Sequence, residues 1–380
     1  MNRNFMIASG SIGAVAVGLI IWFLVPSGPD WDLHIVFFSV GQADAIVVLD
    51  SEGNTCIIDA GPGSTAAGQI TTFLSDADQN GVGDITNVKL GFCTHYDQDH
   101  MGGFSSLVSS GINFSTVYDQ GPSQKRQGAA RYTEYLAAVG DPNNDMEDND
   151  TQASNPFVRK KARVGLHWTL GEATIRCVSA RGDTRGSTHD LDWDPSNRDI
   201  DENPGSIALL ITLGDFEFYT AGDQTSDDWS GAANEDTEIA VVNSGVLGTE
   251  NDIDVLKVNH HGADTSTGDA FVNALDPEVA IISTEWRTNH TNPERITVKQ
   301  LVENQAVVYI TGNGLDPSGR FSDSNKTNED DAFTVPADSF INNAGDIHIF
   351  VKAGGRVYTV VVADGSFRDF SAVDSDNVRP

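Results

Sequence analysis

Short apolar runs alternate with glycine-, asparagine- and aspartate-rich breaks along most of the chain, a pattern typical of a protein built from strands. The runs DLHIVFFSV, ADAIVVLDS and NTCIIDAG predict three successive strands. In the last third of the chain, strand-like runs alternate with helical segments such as PERITVKQLVEN. Strand groups with interleaved helices in both halves favour two sheets with helices outside them, a four-layer αββα sandwich of the α/β class.

The N-terminal segment has a different character from the rest of the chain. From Phe5 to Val25 there is no charged residue, and such a run is long enough to cross a bilayer as a helix. Arg3 precedes the run and no positive charge follows it closely, which predicts export of the remainder. A cleaved signal peptide is the alternative, and the protein is then secreted. We therefore divide the chain into a membrane anchor or signal segment, 1–30, and one extracytoplasmic domain, 31–380, on the periplasmic side or cell surface.

The chain also has long polar stretches and more acidic than basic residues. Long polar stretches predict inserted loops at about 141–156, 181–204 and 314–344. The chain has 55 acidic and 23 basic residues and a net charge of −32, which keeps it soluble and argues against tight binding of duplex nucleic acid. Two dense basic patches, QKRQGAAR and VRKKARVG, either guide a phosphate-bearing substrate or balance the surrounding charge.

The stretch THYDQDHMGG holds the densest group of metal-binding side chains. His95, Asp97, Asp99 and His100 directly follow an apolar strand-like run. Imidazoles and carboxylates suit zinc, manganese or iron, whereas the alternative is a solvated acidic loop. The glycines that follow predict a helix starting close to the site.

Other apolar runs also end in aspartate or histidine. Asp59 closes the run IIDAG, Asp223 closes YTAGD, and His260 and His261 close VLKVNHHG. Strands that each end in such a residue, followed by glycine, indicate one rim of a sheet where metal ligands collect.

The order of these motifs resembles that of metallo-β-lactamase-fold hydrolases, in the branch named for the competence DNA-uptake protein ComEC. The chain shows in turn VGQAD, IIDAG, the H-x-D-x-D-H-x-G-G motif, NPGSIALL, TAGD and VLKVNHHG followed by TST. The match covers about residues 33 to 313 and resumes near Gly345. ComEC itself carries a channel of many membrane spans, whereas this chain has at most one, so the resemblance implies no DNA import.

The resemblance implies a site for two divalent ions, zinc or manganese. The implied ligands are His95 and Asp97 for one ion and Asp223 as the bridge. The other ion is expected to bind Asp99, His100 and one of His260 and His261, and we prefer His260 because it is the first residue beyond the strand. Catalytic roles fall to Asp97, Asp99 and His261; Asp97 is alternatively a proton shuttle off the metal, and His261 supports a ligand or faces the substrate. Asp44, Asp59 and Asn203 are expected to support the ligands from behind. The family's third-motif histidine is missing, and Glu202 or Asn203 stands at about its place.

A second metal site is predicted at DADQNGVGDITN. The residues that match oxygen positions of a calcium loop are Asp76, Asp78, Asn80 and Asp84. The last position of the loop holds Asn87 where a bidentate glutamate is expected, so a polar turn is the alternative.

The function implied is that of a metal-dependent hydrolase that attacks with a hydroxide held between two ions. A phosphodiester suits such a site because its non-bridging oxygens can bind both ions, so we expect a phosphodiesterase or nuclease, with single-stranded nucleic acid as one candidate substrate. The alternatives are hydrolysis of another cell-envelope phosphoester, a lactone or an amide, and a non-catalytic calcium-dependent surface module. No protein partner follows from the sequence.

Overall fold

The computed structural model covers most of the predicted domain. It describes residues 29–123, 125–141, 159–184, 202–226, 236–247, 252–288, 291–322 and 336–373. The predicted anchor up to residue 28, most of the insertions at about 141–156 and 181–204, and residues 323–335 of the third insertion lie outside the described residues. Within the described ranges, no helix is long and apolar enough to cross a membrane.

The strands follow the apolar runs of the sequence. In chain order they are β1 (Leu33–Phe37), β2 (Ala45–Asp50), β3 (Thr55–Ala60), β4 (Asn87–Val88), β5 (Leu90–Phe92), β6 (Asn113–Phe114), β7 (Val117–Asp119), β8 (Arg159–Lys161), β9 (His167–Leu170), β10 (Ala173–Ala180), β11 (Asp183–Thr184), β12 (Ala208–Leu213), β13 (Phe216–Thr220), β14 (Val255–Lys257), β15 (Val279–Ile282), β16 (Val307–Ile310), β17 (Phe340–Ile341), β18 (Ile347–Lys352), β19 (Val357–Val361) and β20 (Phe367–Ser371).

The helices are short and lie between the strands. They are α1 (Ser64–Ser75), α2 (Ala77–Asn80), α3 (Gln98–Met101), α4 (Phe104–Ser109), α5 (Ala130–Val139), α6 (Thr237–Asn243), α7 (Asp269–Leu275) and α8 (Arg295–Glu303). Two 3-10 turns, Asn259–Gly262 and Ala337–Ser339, complete the described secondary structure.

The strands form two large sheets. The first has the order β20-β19-β18-β1-β2-β3-β5-β7-β8, and the second has the order β11-β10-β12-β13-β14-β15-β16-β17, with β9 paired to β10. In the first sheet β3, β5, β7 and β8 are parallel, and in the second β13 to β17 are parallel. The carboxyl ends of parallel strands meet at one edge, which is where open α/β sheets usually place their sites.

Three apolar cores separate the layers. The core between the sheets includes Phe37 and Phe218, whose ring centroids are 5.5 Å apart. Helices α1, α4 and α5 cover the outer face of the first sheet through residues such as Phe73. Helices α6, α7 and α8 cover the second through residues such as Phe271 and Leu301. The described residues therefore form the helix–sheet–sheet–helix order that the pattern predicts.

The calcium loop expected near residue 80 is a helical turn in the structure. Asp76 caps α2 by accepting a hydrogen bond from the Asp78 backbone N–H at 2.9 Å. Asn80 is buried, donates to the carbonyls of Phe73, Leu74 and Gly83, and accepts from two backbone N–H groups. The Asn80 oxygen accepts from the backbone N–H groups of the turn, which favours the polar turn given as the alternative, and calcium binding stays a prediction.

A buried histidine joins two neighbouring strands of the first sheet. His34 of β1 shares a hydrogen bond with His348 of β18 at 2.9 Å, and its ring stacks on Phe350 with centroids 4.2 Å apart. Burial, helped by the neighbouring His348 ring, lowers the pKa of His34 to about 2.

The low pKa of His34 predicts that the free energy of unfolding falls in acid. In the unfolded chain His34 titrates near its ordinary value of 6.5, so acid below that value favours unfolding. Between pH 7 and pH 5, we expect the wild-type chain to lose about 2 kcal/mol more unfolding free energy than His34→Leu. Denaturant unfolding with chelator present at both pH values measures the difference. Equal losses in the two proteins would contradict the assignment.

Candidate metal centre

The predicted site residues meet where the parallel strands of both sheets end. Asp59 lies near the end of β3, and His95 follows β5. From the second sheet, Asp223 follows β13, and the histidine pair follows β14 within the turn Asn259–Gly262. Residues distant in sequence thus share one edge of the sandwich.

Asp59 is placed by an irregularity in strand pairing. Ala45 pairs with Ala60 and Ile46 pairs with Ile58, so Asp59 is the extra residue of a bulge, with a left-handed φ of 55°. Its carboxylate accepts hydrogen bonds from Thr94 N–H at 2.8 Å, Thr94 Oγ1 at 2.7 Å and His100 Nδ1 at 2.8 Å. Because Nδ1 of His100 donates to Asp59, its Nε2 is free to bind a cation. Asp59 therefore supports a ligand from behind, the place that the sequence predicts for it.

Four side chains define what we call the second position: Asp99, His100, Asp223 and His261. His261 Nε2 lies 3.4 Å from Asp99 Oδ2 and 3.6 Å from Asp223 Oδ2, and His100 Nε2 lies 3.3 Å from Asp223 Oδ1. His261 Nδ1 donates to the Ser283 carbonyl at 2.9 Å, so its Nε2 also faces inward as an acceptor. Asp99, His100 and His261 have donor atoms within 4.8 Å of one another, a spacing compatible with shared coordination of an ion, and Asp223 converges in the same way on His100 with His95 and on His261 with Asp44.

The buried atoms of the second position lack other partners. His100 Nε2, His261 Nε2 and Asp223 Oδ1 make no hydrogen bond within the described part of the chain. An unsatisfied buried polar atom costs about 1–3 kcal/mol, and these converge on one point. The residues present therefore fit a divalent cation such as zinc or manganese.

His261 occupies the place that the sequence analysis gives to His260. His260 Nε2 lies 3.8 Å from Asp223 Oδ2, its Nδ1 shares a hydrogen bond with Thr265 at 2.8 Å, and the side chain is 23% exposed. No converging group among the described residues includes it, whereas His261 is fully buried in two of them. The choice of His260 assumed a strand running up to the histidines. Instead β14 ends at Lys257, and His260 and His261 have left-handed φ values of 48° and 56°. In this turn the buried side chain is that of His261 and not that of His260.

A buried glutamate holds this strained turn. Glu238 of α6 accepts hydrogen bonds from Asn259 Nδ2 at 2.8 Å, Thr267 N–H at 2.6 Å and Gly268 N–H at 3.0 Å. Burial raises the pKa of Glu238 to about 7 despite these donors. Asn292 Nδ2 donates to the His260 carbonyl at 3.2 Å. Left-handed histidines persist only where such surroundings fix them.

The first position is the group around His95 and Asp97. His95 Nε2 lies 3.7 Å from Asp97 Oδ2 and 3.9 Å from Asp223 Oδ2. Asp97 also contacts the guanidinium of Arg126, whose Nε donates to Glu202 Oε2 at 2.6 Å. Asn203 Nδ2 is 3.4 Å from His260 Nε2 and lies at the border of the site.

Lys257 is a site residue that the sequence analysis does not identify. Its ammonium is fully buried, contacts the Asp44 carboxylate, and donates to the Gly222 carbonyl at 2.9 Å. Asp44 in turn lies 3.6 Å from His100 Nδ1 and 3.7 Å from His261 Nδ1, behind the second position. The available signal was a lysine inside the apolar run VLKV, because a fully buried charge needs a partner.

Two glycines allow the backbone to come close to the ligands. A Cβ on Gly103 would stand 1.9 Å from the Ala60 carbonyl oxygen, so only glycine lets α4 start against β3. A Cβ on Gly222 would stand 2.4 Å from Thr94 Oγ1, and Gly222 also has a positive φ of 53°. The first observation explains the role expected for the glycines of THYDQDHMGG.

The electrostatics of the second position favour positive charge. Burial opposes protonation of His100 and His261, but the neighbouring carboxylates, Asp223 foremost, outweigh it and raise the pKa of both imidazoles. Burial opposes ionisation of Asp99 and Asp223, yet the surrounding histidines lower the pKa of both carboxyls. The pocket thus holds ionised carboxylates ready for a cation.

The two basic patches have different roles. Arg159 of VRKKARVG is buried and forms ion pairs with Asp119 at 2.6 Å and Asp141 at 2.5 Å, so it fixes the fold instead of meeting a ligand. Arg126 of QKRQGAAR, in contrast, reaches the metal centre.

Comparisons with known proteins show a distant likeness. No family model and no curated protein sequence matches the chain. Among solved structures, it is similar to the metallo-β-lactamase fold protein YhfI from Bacillus subtilis, with a TM-score of 0.42, 11% identity, and coverage of 73% of this chain and 96% of that one. It is similar to Tm1679, described as a metal-dependent hydrolase of the β-lactamase superfamily, with a TM-score of 0.43, 10% identity and coverage of 73% and 95%.

A third similar structure has a different activity. CmlA, a diiron β-hydroxylase from Streptomyces venezuelae, shows a TM-score of 0.39, 14% identity and coverage of 74% of this chain and 52% of its own. At such distances the likeness assigns neither an activity nor a ligand. The ComEC-type branch stays a prediction from the motifs.

The adjacent histidines offer a matched test of the ligand set. We expect His261→Gln to weaken Mn²⁺ binding by at least about 100-fold, because a direct ligand is lost, while His260→Gln changes it by less than about tenfold. Isothermal titration calorimetry of both variants and the wild-type chain measures the two effects. The reverse order, with His260→Gln the weaker binder, would restore the sequence-based choice.

Proposed function

We propose that this chain is a metal-dependent hydrolase of the metallo-β-lactamase fold that cleaves phosphodiesters. One observation carries the proposal: buried Nε2 atoms of His100 and His261 converge with the carboxylates of Asp99 and Asp223, without other partners in the described structure. Such a set suits a divalent cation better than any structural role, because a purely structural cluster would pair its own atoms.

The residues around the cation have distinct tasks. A bound divalent ion lowers the pKa of water and polarises an electrophilic oxygen. Asp99 is about one-third exposed and marks the solvent side of the second position, where a substrate enters. Asp223 is buried and faces His95, His100 and His261, so it ties the two positions together. Asp59 and the Ser283 carbonyl hold the Nδ1 atoms of the two imidazoles, so that Nε2 of each ring is the atom turned to the ion.

The substrate class is proposed from the charges at the mouth of the site. The protein as a whole carries a net charge of −32, yet Arg126 brings a partly exposed guanidinium beside Asp97. A guanidinium matches the non-bridging oxygens of a phosphodiester, and the resemblance to ComEC-type motifs supports the same class. Single-stranded nucleic acid is one member of this class.

An activity assay with a matched surface control tests the proposal. The wild-type chain is expected to cleave bis-p-nitrophenyl phosphate or single-stranded DNA with Mn²⁺ or Zn²⁺, but not nitrocefin. Asp99→Asn is expected to lower the rate by at least about 100-fold, because it removes charge at the reacting centre. Asp269→Asn, an exposed aspartate at the start of α7, is expected to leave the rate unchanged.

Two outcomes would overturn this function. One is no phosphodiester cleavage by the wild-type chain with either metal. The other is Asp99→Asn cleaving as fast as Asp269→Asn, which would place the reaction elsewhere.

We also propose that the segment 1–30 anchors the domain outside the cytoplasm. The uncharged run from Phe5 to Val25, with Arg3 before it, supports this arrangement. Carbonate-washed membranes from cells that make the full chain are expected to retain it, and external protease is expected to digest the domain in cells whose outer layers are permeabilised. A chain found wholly in the carbonate supernatant would contradict the anchor and leave secretion after cleavage.

A further inference from the structure

We propose that Arg126 replaces a metal ion at the first position, so that the chain binds one divalent cation, at the second position. This inference rests on the proposed metal-dependent function and defines its cation content. It departs from the pair of ions that the sequence resemblance implies.

The guanidinium of Arg126 uses the acidic groups of the first position. It contacts Asp97 Oδ1 through Nη2 and donates from Nε to Glu202 Oε2 at 2.6 Å. Asp97 is the residue expected to bind the first ion, and Glu202 stands near the missing histidine of the third motif. Both carboxylates are therefore neutralised by a cation that belongs to the protein.

Arg126 is held in place by its own loop. The Arg126 backbone N–H donates to Ser123 Oγ at 3.2 Å, and the Ser123 hydroxyl contacts the Glu202 carboxylate. Gln120 Nε2 donates to the Glu202 carbonyl at 3.2 Å, and the Ser123 backbone N–H donates to Tyr132 OH at 3.2 Å. Glu202 is buried and Arg126 is only 23% exposed, so this is a built arrangement and not a surface ion pair.

Few donors remain for an ion at the first position. His95 Nε2, which has no hydrogen-bond partner among the described residues, still faces it, but the two groups that converge with it, His100 and Asp223, also belong to the second position. Zinc commonly takes four ligands, and a catalytic site usually has three from the protein. An ion there would also stand beside a fixed guanidinium, which repels it. The first position therefore does not fit an ion as the second does.

The site would then have two positive charges, an exchangeable metal ion at the second position and the permanent guanidinium of Arg126 at the first. Asp99, His100, Asp223 and His261 would hold the ion at the second position, and the Arg126 guanidinium holds Asp97 at the first. Arg126 keeps part of its side chain open to solvent, so its guanidinium can contact a phosphate oxygen that enters the site. A substrate is then held between an ion and an arginine.

Manganese stoichiometry of the full chain tests this proposal directly. In equilibrium dialysis with Mn²⁺ alone, the wild-type chain is expected to bind one equivalent and to show the electron paramagnetic resonance signal of an isolated ion. Asp97→Asn is expected to keep one equivalent, whereas Asp99→Asn loses it. Arg126→Gln releases Asp97 and Glu202, so a second equivalent and a spin-coupled signal are expected. Arg131→Gln, at an exposed arginine five residues away, is the matched control and keeps one equivalent.

Three results would overturn the proposal. They are two equivalents in the wild-type chain, loss of an equivalent in Asp97→Asn, or a single equivalent in Arg126→Gln. These are distinct from failure of the proposed function, which is one bound equivalent with no cleavage of phosphodiesters. Circular dichroism of each variant confirms that it has folded before its stoichiometry is compared.

Discussion

The hydrogen bonds of Asp59 fix the geometry on which the site depends. One carboxylate, turned inward by a bulge in β3, holds the backbone and hydroxyl of Thr94 and the Nδ1 of His100. It thereby joins the end of β3 to the segment after β5 and sets the tautomer of a ligand. Without this link the two motifs would be neighbours in the sheet but their side chains would have no defined direction.

Around that link, the molecule arranges fixed charges on both sides of the proposed ion. Lys257 pairs with Asp44 behind the second position, and Arg126 pairs with Asp97 at the first position. Each of these basic side chains neutralises a carboxylate, so less negative charge is left to bind a metal ion. Among the described residues, the second position keeps three unpaired buried donor atoms, on His100, Asp223 and His261, whereas the first keeps one of its own, on His95. The acidic residues on the rest of the surface do not enter this balance of charges at the site.

The sequence predicted the layers and the rim of the site because both depend on short-range patterns. Strand ends such as Asp59 and Asp223 could be recognised from apolar runs that stop at aspartate and glycine. The choice between His260 and His261 depended on a left-handed turn that no periodicity reveals. Asn80 fits a calcium pattern in sequence but turns inward to bind backbone groups.

Two further features were missed. Helix α5, Ala130–Val139, was not predicted, although Tyr132, Tyr135, Leu136 and Val139 have helical spacing before Gly140, and its side chains pack in the core outside the first sheet. The pairing of Arg126 with Glu202 joins segments 76 residues apart, so the patch QKRQGAAR alone could not show where its arginine points. The spacing of residues within a motif can be read from the sequence. Contacts between residues of separate segments are known only from the folded structure.

The most direct test of the account is anomalous diffraction at the manganese edge from crystals of the domain soaked in Mn²⁺. The account predicts one strong peak bounded by Asp99, His100, Asp223 and His261, with the Arg126 guanidinium still beside Asp97. A peak between His95 and Asp97, or the absence of any peak at the four predicted ligands, would contradict it.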